Sequence, residues 1–483
     1  MATKKQSTNN STKKKSSSKS NNAKVKKFAK KYPKLFIAIA VVVAIVIVTV
    51  WVLDSTHVIT IPFLHPEEQN EEHYHPHTGD DGYVEDVVYD DFQIHFMMLG
   101  NDKAGDSVYI KAGDTDILID AGSISASSTT TIPYMQKYVK DNKLEYVIAT
   151  HGDQDHIAAF PKIFSSLQVD TVIDFTSETY DEFINLPVKN NQKTRNSFVG
   201  TTKVTATYGN YLSARDTYAK KHYTAGDCYL NKNGASRSYS LSDKVTMDIL
   251  YNYYYYDNDG NNKEDSSDEN NFSVLTLFTY NNNGDYHRFF LGGDLEKEGE
   301  DKFAEYYDGS TKERTMPTVD LYKAGHHGSK TSSNDSLLDI LQPKLCVVSC
   351  CCGTDEYTGN TDNQFPTQPF IDRIAKWTDR VYVTSIYESF EIATCNQAVN
   401  TNGELKYDSK GNPVSDKTGV AIGGQYIHSS GFKAMNGNVV ISCDGTNVGI
   451  WASNNLTKLK DSEWFNTTII IDGKERKMRT WPQ

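Results

Sequence analysis

From Phe92 onward, short runs of β-branched and aromatic residues alternate with turn residues and with stretches that carry an apolar stripe. The runs predict strands over 107–111, 116–120, 145–150, 245–250, 272–278, 288–291, 319–323, 345–349, 380–384, 438–442 and 447–451. Amphipathic spacing predicts helices around 131–141, 157–167, 297–307, 334–342 and 366–377. Strands and helices are interleaved, which argues for sheets covered by helices. Three segments break the pattern and read as insertions or loops: 177–240 is polar and Tyr-rich, 257–271 is acidic and of low complexity, and 387–434 is rich in Gly, Asn and Thr. The DNDG that opens at Asp257 lacks the third carboxylate and the terminal Glu of an EF-hand loop.

The amino-terminal pattern is different. Residues 35–53, LFIAIAVVVAIVIVTVWVL, are 19 consecutive residues without a charge. A helix of that length spans about 28 Å, close to the roughly 30 Å of a hydrocarbon core. No small-x-small cleavage site follows, so the run reads as a retained transmembrane helix. Residues 1–34 hold 12 Lys and no Asp or Glu, and the positive-inside rule keeps this disordered tail in the cytoplasm. The expected localisation is therefore the cell membrane, single-pass, with residues 54–483 extracytoplasmic. Residues 54–90 are acidic and bear His65, His73, His75 and His77 with little apolar periodicity, and read as a juxtamembrane linker.

Charge follows the same division. The chain has 50 Lys plus Arg and 62 Asp plus Glu; without the 12 Lys of the tail, 38 basic residues face all 62 acids, a formal charge of −24 on the exported part. Such a surface excludes general polyanion binding, so a nucleic-acid substrate would have to be held by metals and a local patch. The seven Cys have no CxxC pair and no regular spacing. They do not form a disulfide framework, and Cys350, Cys351 and Cys352, after an apolar run, read as buried small side chains.

The densest chemistry is HGDQDH at 151–156, between the apolar strand EYVIAT and the segment IAAFPKIF. His151, Asp153, Asp155 and His156 on a strand-to-helix turn can converge on one point, because a loop frees side chains from the two-face alternation of a strand. Pro161 suits the first turn of the following helix. Two more strands end in glycines and a ligand: FFLGGD at 289–294 and YKAGHHGSKT at 322–331. Glycines beside Asp294, His326 and His327 let the backbone approach a bound ion closely.

The order ILIDAG (117–122), ATHGDQDHIAAF (149–160), ENNFSVL (269–275), FFLGGDLE (289–296) and DLYKAGHHGSKTSS (320–333) resembles the metallo-β-lactamase superfamily, and specifically its ComEC-type branch, the hydrolase domain of competence proteins. The resemblance covers roughly residues 92–453. It implies an αββα metallo-β-lactamase sandwich, here over 91–455 with insertions at 177–240 and 387–434 and a C-terminal extension at 456–483. By position it implies two divalent ions: His151 and Asp153 on the first, Asp155, His156 and one of His326 or His327 on the second, and Asp294 as a bridge. Asp153 stands where the commoner HxHxDH motif has a His; the extra carboxylate hardens the site, so manganese competes with zinc. The chain departs from the superfamily in lacking a third-motif His between 160 and 290, where His222 and His287 read as surface residues. It departs again at Phe365, where ComEC-like domains often carry His.

The expected activity is metal-dependent phosphodiester hydrolysis. The resemblance implies that Asp155 orients the nucleophile and takes its proton, that Asp294 serves catalysis as the bridging ligand, that Ser329 and the catalytic Lys330 meet a phosphate oxygen, and that Asn271 orients a ligand. Nucleic acid is the first substrate class; a teichoic-acid or phosphocholine-type envelope ester, or a degenerate non-catalytic surface module, are the alternatives. No protein partner is expected. The single span excludes a complete DNA channel.

Overall fold

The apolar runs of the sequence pair into two sheets. In the larger, nine strands lie in the order Tyr83–Glu85, Val448–Ala452, Val439–Cys443, Phe92–Phe96, Val108–Ala112, Thr115–Ile119, Lys143–Ala149, Gln168–Asp174 and Ala219–Thr224. Pairing is antiparallel from Val448–Ala452 to Thr115–Ile119 and parallel from there to Ala219–Thr224. Parallel neighbours need crossovers, and the helices Ser128–Met135, Phe160–Ser166 and Ala206–Tyr218 supply them. The second sheet has seven strands in chain order, Ser238–Ser240, Val245–Ile249, Thr276–Asn282, Asp285–Leu291, Leu321–Lys323, Leu345–Cys351 and Val381–Ser385. It too changes from antiparallel to parallel, at Asp285–Leu291. Its crossovers are Lys297–Tyr306, Asp335–Leu341 and Gln368–Ile374.

This computed structural model describes residues 82–99, 105–197, 200–255, 268–352, 360–417, 420–434, 436–471 and 473–482. All of them belong to one compact unit, 72–483. The basic tail 1–34, the expected membrane span at 35–53 and most of the expected linker lie outside the described residues, as does most of the acidic loop 257–271. Among the described residues no helix is long and apolar enough to cross a membrane.

The layering follows from which faces are apolar. Phe92 on the larger sheet sits 5.1 Å from Phe289 and 6.1 Å from Phe278 on the smaller, centroid to centroid, and one buried cluster runs through both sheets and the first three helices. A second cluster, with Leu295, Phe303, Leu338, Phe370 and Trp464, fills the space between the smaller sheet and its own helices. Two sheets sandwiched between two helical layers are the expected αββα architecture.

Several boundaries moved, each for a local reason. Tyr83–Glu85, expected in the linker, pairs with Val448–Ala452 as an edge strand, and Tyr89 donates its backbone N–H to Ser442 Oγ at 2.9 Å. The strand expected from 272 starts at Thr276, because Glu269–Phe272 forms a 3₁₀ turn and Val274 donates to Thr150 across to the other sheet. Part of the segment expected as insertion at 177–240 is structural: Ala206–Tyr218 and Ala219–Thr224 extend the larger sheet and cover it. Arg215 anchors that part, fully buried, by donating to Asp174 Oδ2 at 2.9 Å. The segment 387–434 is a ribbon built on Tyr387–Thr394 paired with Gln425–Ala434. All seven Cys are buried.

Candidate metal centre

Parallel strands point their carboxyl ends to one edge, and the chemistry gathers there. Asp120 follows Thr115–Ile119, the 151–156 turn follows Lys143–Ala149, Asp294 follows Asp285–Leu291, and His326 and His327 follow Leu321–Lys323. The turn at Asp294 depends on Gly293: at φ +55°, a Cβ there would lie 2.8 Å from both Ser273 Oγ and Thr150 Cβ. Gly105 is equally constrained, since a Cβ would meet the carbonyl oxygen of Asp155 at 2.2 Å.

Donor atoms of Asp155, His156, Asp294 and His327 all lie within 4.8 Å of one another. Asp294 Oδ2 is 3.1 Å from His156 Nε2 and 3.3 Å from His327 Nε2, which is 3.2 Å from Asp155 Oδ2. Beside this group, His151 is fully buried with its ring 4.1 Å from that of His156, and its Nε2 has no hydrogen-bond partner; Asp153 Oδ2, half exposed, is 3.9 Å away. The structure thus brings together His151, Asp153, Asp155, His156, Asp294 and His327, and turns His326 toward Glu296 at 2.7 Å.

Every imidazole is held by its Nδ1. His156 donates to Asp120 Oδ2 at 2.7 Å and His327 to the carbonyl of Ser349 at 2.8 Å. His326 donates to Glu296 Oε1. The Thr150 hydroxyl gives its proton to Asp120 Oδ2, so at 3.1 Å it accepts from His151 Nδ1. Anchoring Nδ1–H leaves the Nε2 lone pair for a metal and fixes where the ring points. The donors fit a divalent transition ion: imidazole nitrogens and carboxylate oxygens on pre-oriented side chains, with one buried nitrogen that nothing among the described residues satisfies.

Electrostatics tie the group together. Burial opposes the carboxylate of Asp155, but the bond to His327 and the charge of His156 hold it well below the usual range. Asp294 is likewise held low against its burial by His156, His327 and Lys323. Burial opposes charge on His156 and His327, yet Asp294, with Asp120 for one and Asp155 for the other, raises both well above the ordinary value. Burial, and then the neighbouring charge of His156, push His151 well below. Asp153 is lifted to about 7 by burial and then by Asp155 and Glu269.

Several supporting residues escaped the sequence reading. Lys323, fully buried, forms ion pairs with Asp106 and, at 3.3 Å, with Asp294 Oδ1. Burial disfavours its charge, but Asp106 and Asp294 restore it. A lysine at an inward position of an apolar strand, and an Asp ending another, were the available signals for Lys323 and Asp120. Asn271 Oδ1 accepts from the backbone of Gly299 at 3.0 Å, and the adjacent Asn270 Nδ2 reaches Glu296 and His326 at 3.3 and 3.4 Å. The Ser329 hydroxyl is bonded to Thr331 at 2.8 Å, and Lys330 is exposed with its ammonium on Asn363. Of the histidines expected at the surface, His287 is buried with Nδ1 3.4 Å from Asp320, because its position on Asp285–Leu291 faces inward, and His222 is bonded to Asp174 at 2.9 Å. Phe365 packs on both His326 and His327, with centroids 5.7 and 5.9 Å apart.

Residues 100–174 match the family model of the metallo-beta-lactamase superfamily. Over 61 residues, 13% of this chain, the sequence is 38% identical to ComE operon protein 3 of Bacillus subtilis; over 97 residues, 20% of this chain, it is 29% identical to Recombination protein 2 of Haemophilus influenzae. The matched stretches span 7% and 10% of those two relatives. Among solved structures, the metallo-beta-lactamase fold protein YhfI of Bacillus subtilis overlays on 61% of this chain and 96% of its own, at 11% identity and a TM-score of 0.31. The subclass B3 metallo-beta-lactamase MEM-A1, from a soil metagenome library, covers 44% of this chain and 62% of its own, at 12% identity and 0.26.

Proposed function

We propose that this chain, a ComEC-like protein of the metallo-β-lactamase superfamily, is a membrane-anchored, extracytoplasmic, metal-dependent phosphodiesterase. The observation behind the proposal is the convergence of Asp155, His156, Asp294 and His327 on one point, with both ring nitrogens Nδ1 already spent on fixed acceptors. On this reading Asp155, His156, Asp294 and His327 hold one divalent ion, and His151 and Asp153, with Asp294 as a bridge, contribute to a second. Zinc and manganese both suit the mixed nitrogen and oxygen set. When bound, such ions lower the pKa of a water toward neutrality and polarise a phosphoryl oxygen.

The protein's own groups do the rest. Asp155, kept ionised by His327 and His156, orients the attacking water and takes its proton. Asp294, tied through Oδ1 to Lys323, keeps Oδ2 turned to the two imidazoles. On this reading Lys330, exposed beyond the His pair with its ammonium on Asn363, would meet a non-bridging phosphate oxygen. Ser329 supports Thr331, whose hydroxyl bonds Glu296 at 2.7 Å. Anchoring by residues 35–53 is supported by the 19 uncharged residues and the lysines before them.

The relatives' names, from the ComE operon and from recombination, favour nucleic acid as substrate. A second reading, an envelope ester of the teichoic-acid or phosphocholine type, is favoured in its zwitterionic phosphocholine form by the −24 charge of the exported part, which repels a polyanion. The test is metal content and turnover of the full-length protein on bis-p-nitrophenyl phosphate, single-stranded DNA and a teichoic-acid-type diester, with manganese or zinc. About two ions per chain and turnover abolished by chelator are expected. A protein that binds no ion and turns over none of the three is a non-catalytic module.

A further inference from the structure

We infer that the two adjacent histidines divide between the ions, His327 serving the site of Asp155, His156 and Asp294, and His326 completing the site of His151 and Asp153. The inference rests on the reading of this cluster as a metal centre. It begins from a shortage. His151 and Asp153 offer one nitrogen and one carboxylate, and Asp294 is shared with the other ion, so the site has no third protein ligand of its own. Between residues 160 and 290 the chain has only two further histidines, and Asp174 and Asp320 engage both. His151 Nε2 stays buried with nothing to bond.

His326 has the form of the missing ligand. Glu296 Oε1 fixes its Nδ1, and that oxygen is itself held by Thr331 Oγ1 at 2.7 Å and Asn270 Nδ2 at 3.3 Å. Its Nε2 makes no hydrogen bond among the described residues. This is the arrangement of His151, His156 and His327, in which an anchored Nδ1 sets the direction of Nε2. Asn270, whose Nδ2 lies 3.4 Å from His326 Nδ1, adjoins Glu269, whose carboxylate oxygen would lie 3.3 Å from a Cβ on Gly152, the residue between His151 and Asp153.

The backbone explains how neighbours in sequence can serve two ions. In a strand, successive side chains point to opposite faces. Here both residues are left-handed, at φ 42° and 53°, a conformation that favours glycine. The consequence is two rings on one side, planes 75° apart and centroids 5.9 Å apart, with Phe365 packed on both. A plain ion pair between His326 and Glu296 would need neither strained residue, and would leave His151 without a partner.

The experiment is manganese stoichiometry and affinity on the full-length protein, read by elemental analysis and by the electron-spin coupling between paired ions. The wild type is expected to bind two ions, and His326→Gln one, with the spin coupling lost and the remaining affinity within a few-fold of the tighter wild-type site. Two ions of unchanged affinity in His326→Gln, or a single ion in the wild type, overturns the inference and leaves the metal centre standing. No ion in the wild type removes the metal centre itself. Should His326→Gln fail to fold by circular dichroism, Glu296→Gln decides: the weaker ion is expected to lose about 10–100-fold in affinity with the tighter one unchanged, and unchanged affinity for both overturns the assignment.

Discussion

At the scale of single residues, the buried polar groups divide into those that prepare an ion site and those that hold the sandwich. Lys323 belongs to both. Its ammonium sits between Asp106 and Asp294 and offsets carboxylates that would otherwise repel one another in a dry interior. His95 belongs to the second kind. It lies wholly within the core, bonded through Nδ1 to Tyr134 at 2.8 Å and through Nε2 to Gln93 at 3.0 Å, and burial lowers its pKa to about 3. Unfolded, it takes up a proton near pH 6.5. The unfolded chain therefore binds more protons throughout the window from about 6.5 down to about 3, and stability falls as pH falls through it, by up to about 1.4 kcal/mol per unit from this residue. Urea unfolding of wild type and His95→Gln between pH 7 and 5, with chelator in both, is expected to show the smaller slope in the variant. Equal slopes would mean that His95 protonates in the folded state.

At the scale of elements, the segment after residue 456 has more to do than an extension would. Arg479, 3% exposed, donates to the carbonyls of Thr361, Gln364 and Pro366, at 2.9, 2.6 and 2.8 Å. Arg476 pairs with Asp362, and Gln368 bonds the backbone of Thr480 in both directions. These contacts clamp the turn that carries Phe365 against His326 and His327. Arg479→Ala leaves three buried carbonyls without a donor, and is expected to destabilise the protein by roughly 2–4 kcal/mol. It should also speed proteolytic cleavage near residues 360–367. Cleavage at the wild-type rate would show that the turn stands without its clamp.

At the scale of the whole molecule, charge and substrate are set against each other. Residues 54–483 are strongly acidic, while the catalysis proposed acts on an anion. Salt screens that repulsion. If single-stranded DNA is a substrate, kcat/KM on it is expected to rise from low to physiological salt, with bis-p-nitrophenyl phosphate little affected, since a small monoanion feels the field far less. A fall with salt would instead locate a basic track that the formal charge conceals.

The sequence by itself determined the class of the fold and most of the donor set. Interleaved strand and helix periods specify covered sheets, and the 151–156 turn, Gly293 with Asp294, and the His pair are local patterns whose chemistry survives without knowledge of what they touch. The edge strands Tyr83–Glu85 and Ala219–Thr224 were illegible because their sequences are short and polar, and a strand at a sheet's margin is selected by its neighbour rather than by its own composition. Only the tertiary structure decided that Asp106, Asp120 and Lys323 lie behind the imidazoles, that Asn270 rather than Asn271 reaches Glu296 and His326, and which ring of the pair joins Asp155 and Asp294. Each of these is a contact between chain segments distant in sequence, and direction in space, unlike residue type, is not written into a run of neighbours.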